Sequence, residues 1–123
     1  MQNFFFIRQN GRSAKVSFED ILFVESRKNY CKIVTGSKVF MALTSMKTLE
    51  AALPPTDFCR VHRGYIISLN KMSSFDRTKA YLPGHEISIG DQFRDKLLQR
   101  ILVLDSRPAP ASILQTYLAD ALN

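Results

Sequence analysis

Turn signals interrupt this sequence so often that, over its first two thirds, few stretches are long enough to make a helix. Asn10-Gly11, Gly36-Ser37, Asp76-Arg77 and Pro83-Gly84 punctuate it. The runs between them are rich in aromatic and β-branched residues, which suit a pleated, half-buried surface. Phe4-Phe5-Phe6-Ile7-Arg8, the turn at Asn10-Gly11, and the alternating Ala14-Lys15-Val16-Ser17-Phe18 read as an opening hairpin. Ile21-Leu22-Phe23-Val24 is an apolar run too short for a helix of its own. From Asn29 to Thr35, Tyr30, Lys32 and Val34 alternate with Cys31 and Ile33, and Gly36-Ser37 turns the chain into Lys38 to Leu43, a second hairpin. Phe58 to Leu69, with Gly64 as a bend, is again strand-like, as are Lys71 to Phe75, Lys79 to Leu82 and His85 to Ile89.

Helical signals are few. Thr44-Ser45 is an N-cap for a short helix through Met46, Leu49, Ala52 and Leu53, which Pro54-Pro55 terminates. Gly90-Asp91 opens a second helix, with Asp91 as its cap and Phe93, Leu97, Ile101 and Leu104 at helical spacing to about Leu104. Ser106-Arg107-Pro108-Ala109-Pro110-Ala111 is a linker by composition. Beyond it, Ile113, Leu114, Tyr117, Leu118, Ala121 and Leu122 form the apolar stripe of a terminal helix too short to stand alone in water. The predicted fold is mainly β: antiparallel sheets in an elongated sandwich, one short internal helix, and a C-terminal helix or helices. Its domain is residues 1–104, followed by a linker and short amphipathic helix over 105–123.

Composition narrows the function classes. A chain of 123 residues with 46% hydrophobic and 23% charged residues is an ordinary globular domain. No apolar run approaches the roughly 18 to 20 residues of a membrane span, and neither end carries a basic-then-apolar signal. A cytoplasmic domain without a membrane partner is therefore expected. Cys31 and Cys59 are too few for a disulfide framework, so reduced thiols are expected. Cys59-x-x-His62 with Cys31 and His85 matches no zinc-finger spacing. No nucleotide-binding glycine loop, Gly-x-Ser-x-Gly elbow or His-Glu-x-x-His helix is present. The reading is a non-enzyme without cofactor or metal.

Charge is informative through its distribution. Of a net +6, the segment from Ser26 to Arg63 carries +5, with Met1 to Glu25 neutral and the remainder +1. Such focusing suits a phosphate-binding face, where neutralised phosphates release counterions. On charge alone, a solvated basic surface that keeps the domain soluble is the alternative.

Particular phrases carry more. Phe18-Glu19-Asp20-Ile21-Leu22-Phe23-Val24-Glu25-Ser26, Asn29-Tyr30, Leu43-Thr44-Ser45-Met46-Lys47-Thr48-Leu49-Glu50, Phe58-Cys59-Arg60-Val61-His62-Arg63-Gly64-Tyr65-Ile66-Ile67 and Ile87-Ser88-Ile89-Gly90 follow one another in a recognisable order and spacing. The sequence from Phe4 to about Leu102 resembles the LytTR-type DNA-binding domain, the output module of a class of bacterial response regulators. The resemblance implies antiparallel sheets whose loops and strand ends, rather than a recognition helix, enter successive major grooves of bent DNA. It implies contacts from three segments, here Arg27 through Lys32, Ser45 through Lys47, and Gly90 through Gln92. Asp91 departs from the pattern: many relatives carry a basic residue after the Ile-Gly, whereas a carboxylate repels phosphate and can only accept from a base amino group.

The candidate DNA-binding residues are Arg27, Lys28, Asn29, Tyr30, Cys31, Lys32, Ser45, Lys47, Arg63 and Gln92. Arg27 and Lys28 suit phosphate or guanine, and Asn29 suits adenine. Tyr30 and Cys31 point to opposite faces of a strand, so at most one faces DNA. The resemblance puts Cys31 close to a contact position, although burial is the usual fate of a cysteine. Ser45 caps a helix and leaves backbone N–H groups for a phosphate, with Lys47 beside it. Arg63 is either a phosphate contact or the cross-strand partner of Glu25 or Glu50, and His62 is expected to hydrogen-bond inside the fold. The implied function is sequence-specific double-stranded DNA binding as the output domain of a two-component response regulator. A homodimer on repeated half-sites would bind, and a sensor kinase would act only through a receiver domain whose acidic pocket this sequence lacks. The other readings are a β-barrel-like single-strand binder stacking bases on Tyr30, Phe40 or Tyr81, and a basic protein-interaction module.

Overall fold

A computed structural model describes residues 2–106 and 111–122. β1 (Phe4–Gln9) and β2 (Arg12–Ser17) form the opening hairpin. Asn10 and Gly11 close it at φ 49° and 78°, the left-handed region that these two residue types enter at least cost and that matches strand twist. There follow β3 (Ile21–Ser26), β4 (Cys31–Thr35), β5 (Val39–Ala42), α1 (Met46–Ala52), β6 (Phe58–His62) and β7 (Tyr65–Ser68). β8 (Ser74–Phe75), β9 (Lys79–Leu82), β10 (His85–Ser88), α2 (Arg94–Arg100) and α3 (Ala111–Leu122) complete the order.

The architecture is mainly β and antiparallel. A five-stranded sheet in the order β5-β4-β3-β7-β6 stands between the β1-β2 hairpin and a three-stranded β10-β9-β8 sheet. Both of its faces are buried, which is why β3 reads as a continuous apolar run. On one face, Ile21, Val24, Ile33 and Ile66 pack with Ile7 and Val16 of the hairpin and Met46, Leu49 and Leu53 around α1. On the other, Leu22, Phe23, Val34, Val61 and Ile67 pack with Ala80, Leu82 and Ile87 of the small sheet and Leu97 of α2. A register shift between Ile21 and Phe23 explains how Ile21 and Val24 share a face that strict alternation would deny them.

Several expectations are corrected. Gly64 lies in the turn between two paired strands, β6 and β7, rather than in a bend of one strand. The second helix is shorter than its apolar period: a 3-10 turn at Asp91–Phe93 leads into α2, which stops at Arg100. Arg100 Nη1 donates to the carbonyls of Pro55 and Phe58 at 2.7 and 3.1 Å, so the helix ends where the β6 edge ends. Ile101 is extended, and Leu102, Val103 and Leu104 are 84%, 56% and 79% exposed. Asp91 is not the cap; Gly90 occupies that position, and the Asp91 carboxylate instead accepts from Arg94 Nη2 at 2.9 Å. The Arg107–Pro110 part of the expected linker lies outside the described residues, as do the side chains of Ile113, Leu114, Tyr117 and Leu122 in the expected stripe.

Candidate nucleic-acid interface

Backbone pairing gathers three connections at one end of the central sheet. Ser26 and Cys31 face each other across β3 and β4, and Arg27 N–H donates to Tyr30 O at 2.8 Å, leaving Lys28-Asn29 as the tip. Ser26 N–H donates to Gly64 O at 2.9 Å, which holds the β6-β7 turn beside that tip. Cys31 also pairs with Ala42, so the β5-α1 connection Leu43-Thr44-Ser45 starts next to Tyr30. Together they surround an open hollow of about 520 Å³ lined by residues 26–31 and 43–46 with Arg60 and Arg63.

Seven of the ten candidates line this hollow: Arg27, Lys28, Asn29, Tyr30, Cys31, Ser45 and Arg63. Arg27 is held in place by Glu25, its Nε 2.8 Å from the carboxylate, with half of its side chain still exposed. Glu50 takes Lys96 and Arg60, at 2.8 and 3.6 Å, so neither acidic partner foreseen for Arg63 is joined to it. Among the described residues Lys28, Lys47 and Arg63 are exposed and have no carboxylate partner. Lys38, in the β4-β5 turn, is likewise exposed without such a partner; of these four cations, Lys28 and Arg63 are the two that line the hollow.

Cys31 takes the buried position usual for a cysteine. Its side chain is 1% exposed and belongs to the first core, and its Sγ donates to Thr44 O at 3.2 Å. Burial pushes the thiol pKa up, with Arg60 pulling it partly back. The residue supports the β5-α1 connection from beneath, and its half-buried neighbour Tyr30 lines the same hollow. Ser45 caps α1 as its position implies: its Oγ accepts from Thr48 N–H at 3.1 Å and donates to Thr48 Oγ1 at 2.9 Å.

Three candidates stand outside the lining. Lys47 is exposed in the first turn of α1, Lys32 sits opposite Glu25 and Met41 in register, and Gln92 is exposed in the 3-10 turn. That turn adjoins the hollow's far wall, because Gly90 N–H donates to Val61 O at 2.7 Å and the Phe93 ring lies 5.8 Å from the Arg60 guanidinium. His62 serves the fold: its Nδ1 accepts from Gly64 N–H at 3.0 Å.

Sequence reasoning missed Arg60. Its Nε donates to His62 O at 3.4 Å and its Nη2 to Arg63 O, so one side chain braces the β6-β7 turn from below. The available signal was alternation, which puts Arg60 opposite Cys59 and Val61 and therefore on the α1 face near Glu50. Cys31 and Cys59 lie in different cores on opposite faces of the sheet. Among the described residues no three potential ligands of His, Cys, Asp or Glu type gather into a metal site, and no helix is long and apolar enough to cross a membrane.

A doubly covered antiparallel sheet that presents basic loops at one end defines a loop-presenting β domain. Residues 11–102 match the LytTr DNA-binding domain family. The chain belongs to that family of DNA-binding domains. Among solved structures it is similar to the LytTr DNA-binding domain of a protein from Bacillus cereus described as a methyl-accepting/DNA response regulator. The TM-score is 0.70 at 14% identity, over 81% of this chain and 97% of that one. No curated protein matches the chain.

Proposed function

We propose that this domain binds a specific sequence in double-stranded DNA and controls transcription as the output domain of a two-component response regulator. The observation that carries the reading is the convergence of the Lys28-Asn29 tip, the Leu43–Ser45 connection and the Arg63 turn around one basic hollow. Lys28, Lys47 and Arg63 are free to meet phosphates, which fix register without reading sequence. Asn29 carries the amide donor and acceptor that pair with adenine, and Arg27, positioned by Glu25, has the fork that guanine accepts. Tyr30 and the Ser45 backbone complete the groove-facing set; Lys32 and Gln92 flank it, and Cys31 drops out. Ends of strands and loops enter successive major grooves in this scheme.

The response-regulator role rests on what the Bacillus cereus relative is said to be, joined to the family. With it go a homodimer on repeated half-sites, an upstream receiver domain, a sensor kinase acting through that receiver, and a cytoplasmic setting. Single-strand binding has less support: Phe40 packs against the first core and Tyr81 donates its hydroxyl to Asp76 at 2.8 Å, which leaves Tyr30 as the one ring of the three at the hollow. Selection from a random duplex pool at near-physiological salt, followed by anisotropy of the winner across a salt series, tests the proposal. A motif repeated about one helical turn apart and bound far more tightly than scrambled duplex is expected. An unenriched pool, with a dimerised chain included, would overturn it.

A further inference from the structure

One side chain at the hollow is not accounted for by phosphate contacts or hydrogen bonding to bases. Leu43 is 90% exposed, more than any other large apolar residue described. A single exposed leucine is ordinary. This one differs in how firmly its backbone is held. Ala42 before it is paired with Cys31; Thr44 after it donates its N–H to Ala42 O at 2.9 Å and accepts from the Cys31 thiol at 3.2 Å. Ser45 is then fixed by its cap bond to Thr48. The side chain is therefore projected from a rigid base on the same rim as Lys28 and Asn29.

In the major groove the apolar feature available to such a side chain is the C5-methyl of thymine, which no cation or amide on this surface can read. We propose, resting on the duplex-binding reading above, that Leu43 is a specificity-determining residue that packs against a thymine methyl and makes one thymine per half-site obligatory. Leu43 also borders a neighbouring groove that Phe6 and Met41 help to line. Docking of a protein segment there is the competing use of the same side chain.

The test uses the full chain and its selected duplex, with each thymine replaced in turn by deoxyuridine, which removes only the methyl. Anisotropy should show one position per half-site where the wild type loses about fourfold in affinity, the equivalent of one buried methyl group. Leu43→Ala should bind thymine and uracil duplexes equally, at the wild-type affinity for the uracil duplex. Because the residue is exposed, the thermal midpoint of the variant should match the parent. Specific duplex binding with no methyl-sensitive position, or sensitivity that persists in Leu43→Ala, would overturn the assignment and leave the duplex reading standing. Absence of any duplex preference would overturn both.

Discussion

At the scale of single residues, the proposed interface separates side chains expected to add charge from those expected to add discrimination. Lys28 is exposed and unpaired by any carboxylate, so under the proposed function it meets phosphate as a sequence-blind charge. Lys28→Ala should weaken cognate and scrambled duplexes alike and reduce the slope of log affinity against log salt by about 1. Asn29→Ala should instead cost about 1–3 kcal/mol on the cognate duplex and little on scrambled DNA, with a nearly unchanged slope. Anisotropy titrations on both duplexes decide between these patterns, and exchange of the two behaviours would refute the assigned roles. The cysteines sit at the other extreme. Cys31 and Cys59 are 1% and 2% exposed, and burial raises both thiols above their ordinary pKa of 9.0. Iodoacetamide at pH 8 should therefore leave both unmodified in the native protein and label both in denaturant, as mass spectrometry would show. The basic run and Asn29 were legible in the chain because charge and turn preference are local properties. Arg60 was not, since its function of bracing the Arg63 turn depends on two carbonyls that only the β6-β7 turn brings to it.

Elements place these residues. α1 is only seven residues long, and its start is held by Ser45, whose Oγ accepts from Thr48 N–H. Ser45→Ala should lower stability by about 1 kcal/mol, within the 0.5–2 kcal/mol spanned by lost N-caps, measured by urea unfolding. Restoration of the lost stability by Ser45→Asp would confirm capping. Strands were readable in the sequence almost throughout, because period two persists wherever one face of a strand is buried and because Asn10-Gly11 and Pro83-Gly84 announce their turns. The end of α2 was not. Leu104 falls on the same helical stripe as Leu97, yet periodicity carries no information about how far the surface beneath a helix extends. Here that surface stops at Phe58, whose carbonyl receives Arg100, and Leu102 to Leu104 run on without it. Asp91 failed as a cap for a related reason: Arg94, one turn on, offers its carboxylate a stronger partner than a backbone N–H.

The molecule as a whole hangs on the central sheet, which contributes side chains to both cores. Neither outer layer has a complete core of its own, so the two should unfold together. Hydrogen exchange on β1-β2 and on β9-β10 should report the same global opening energy, and Leu97→Ala in the second core should lower both by about 2–5 kcal/mol. Glu50 strengthens this coupling around the covered edge of the sheet. From α1 it reaches Lys96 of α2 at 2.8 Å and Arg60 of β6 at 3.6 Å, joining the layers that lie on opposite faces. Burial alone would raise its pKa, but the hydrogen bond and charge of Lys96, with Arg60, hold it below the ordinary 4.5. Between its folded value and 4.5 the native protein therefore binds fewer protons than the unfolded chain, and stability rises with pH. The contribution is fully present above 4.5 and disappears as pH falls through the folded value. With the carboxylate about a third exposed, each pair is worth only about 0.2–1 kcal/mol. Glu50→Gln should lower stability by that order at pH 7 and converge on the parent in acid. A constant difference between the two proteins from pH 7 down to acid would assign the loss to packing and refute a coupling role for the Glu50 ion pairs.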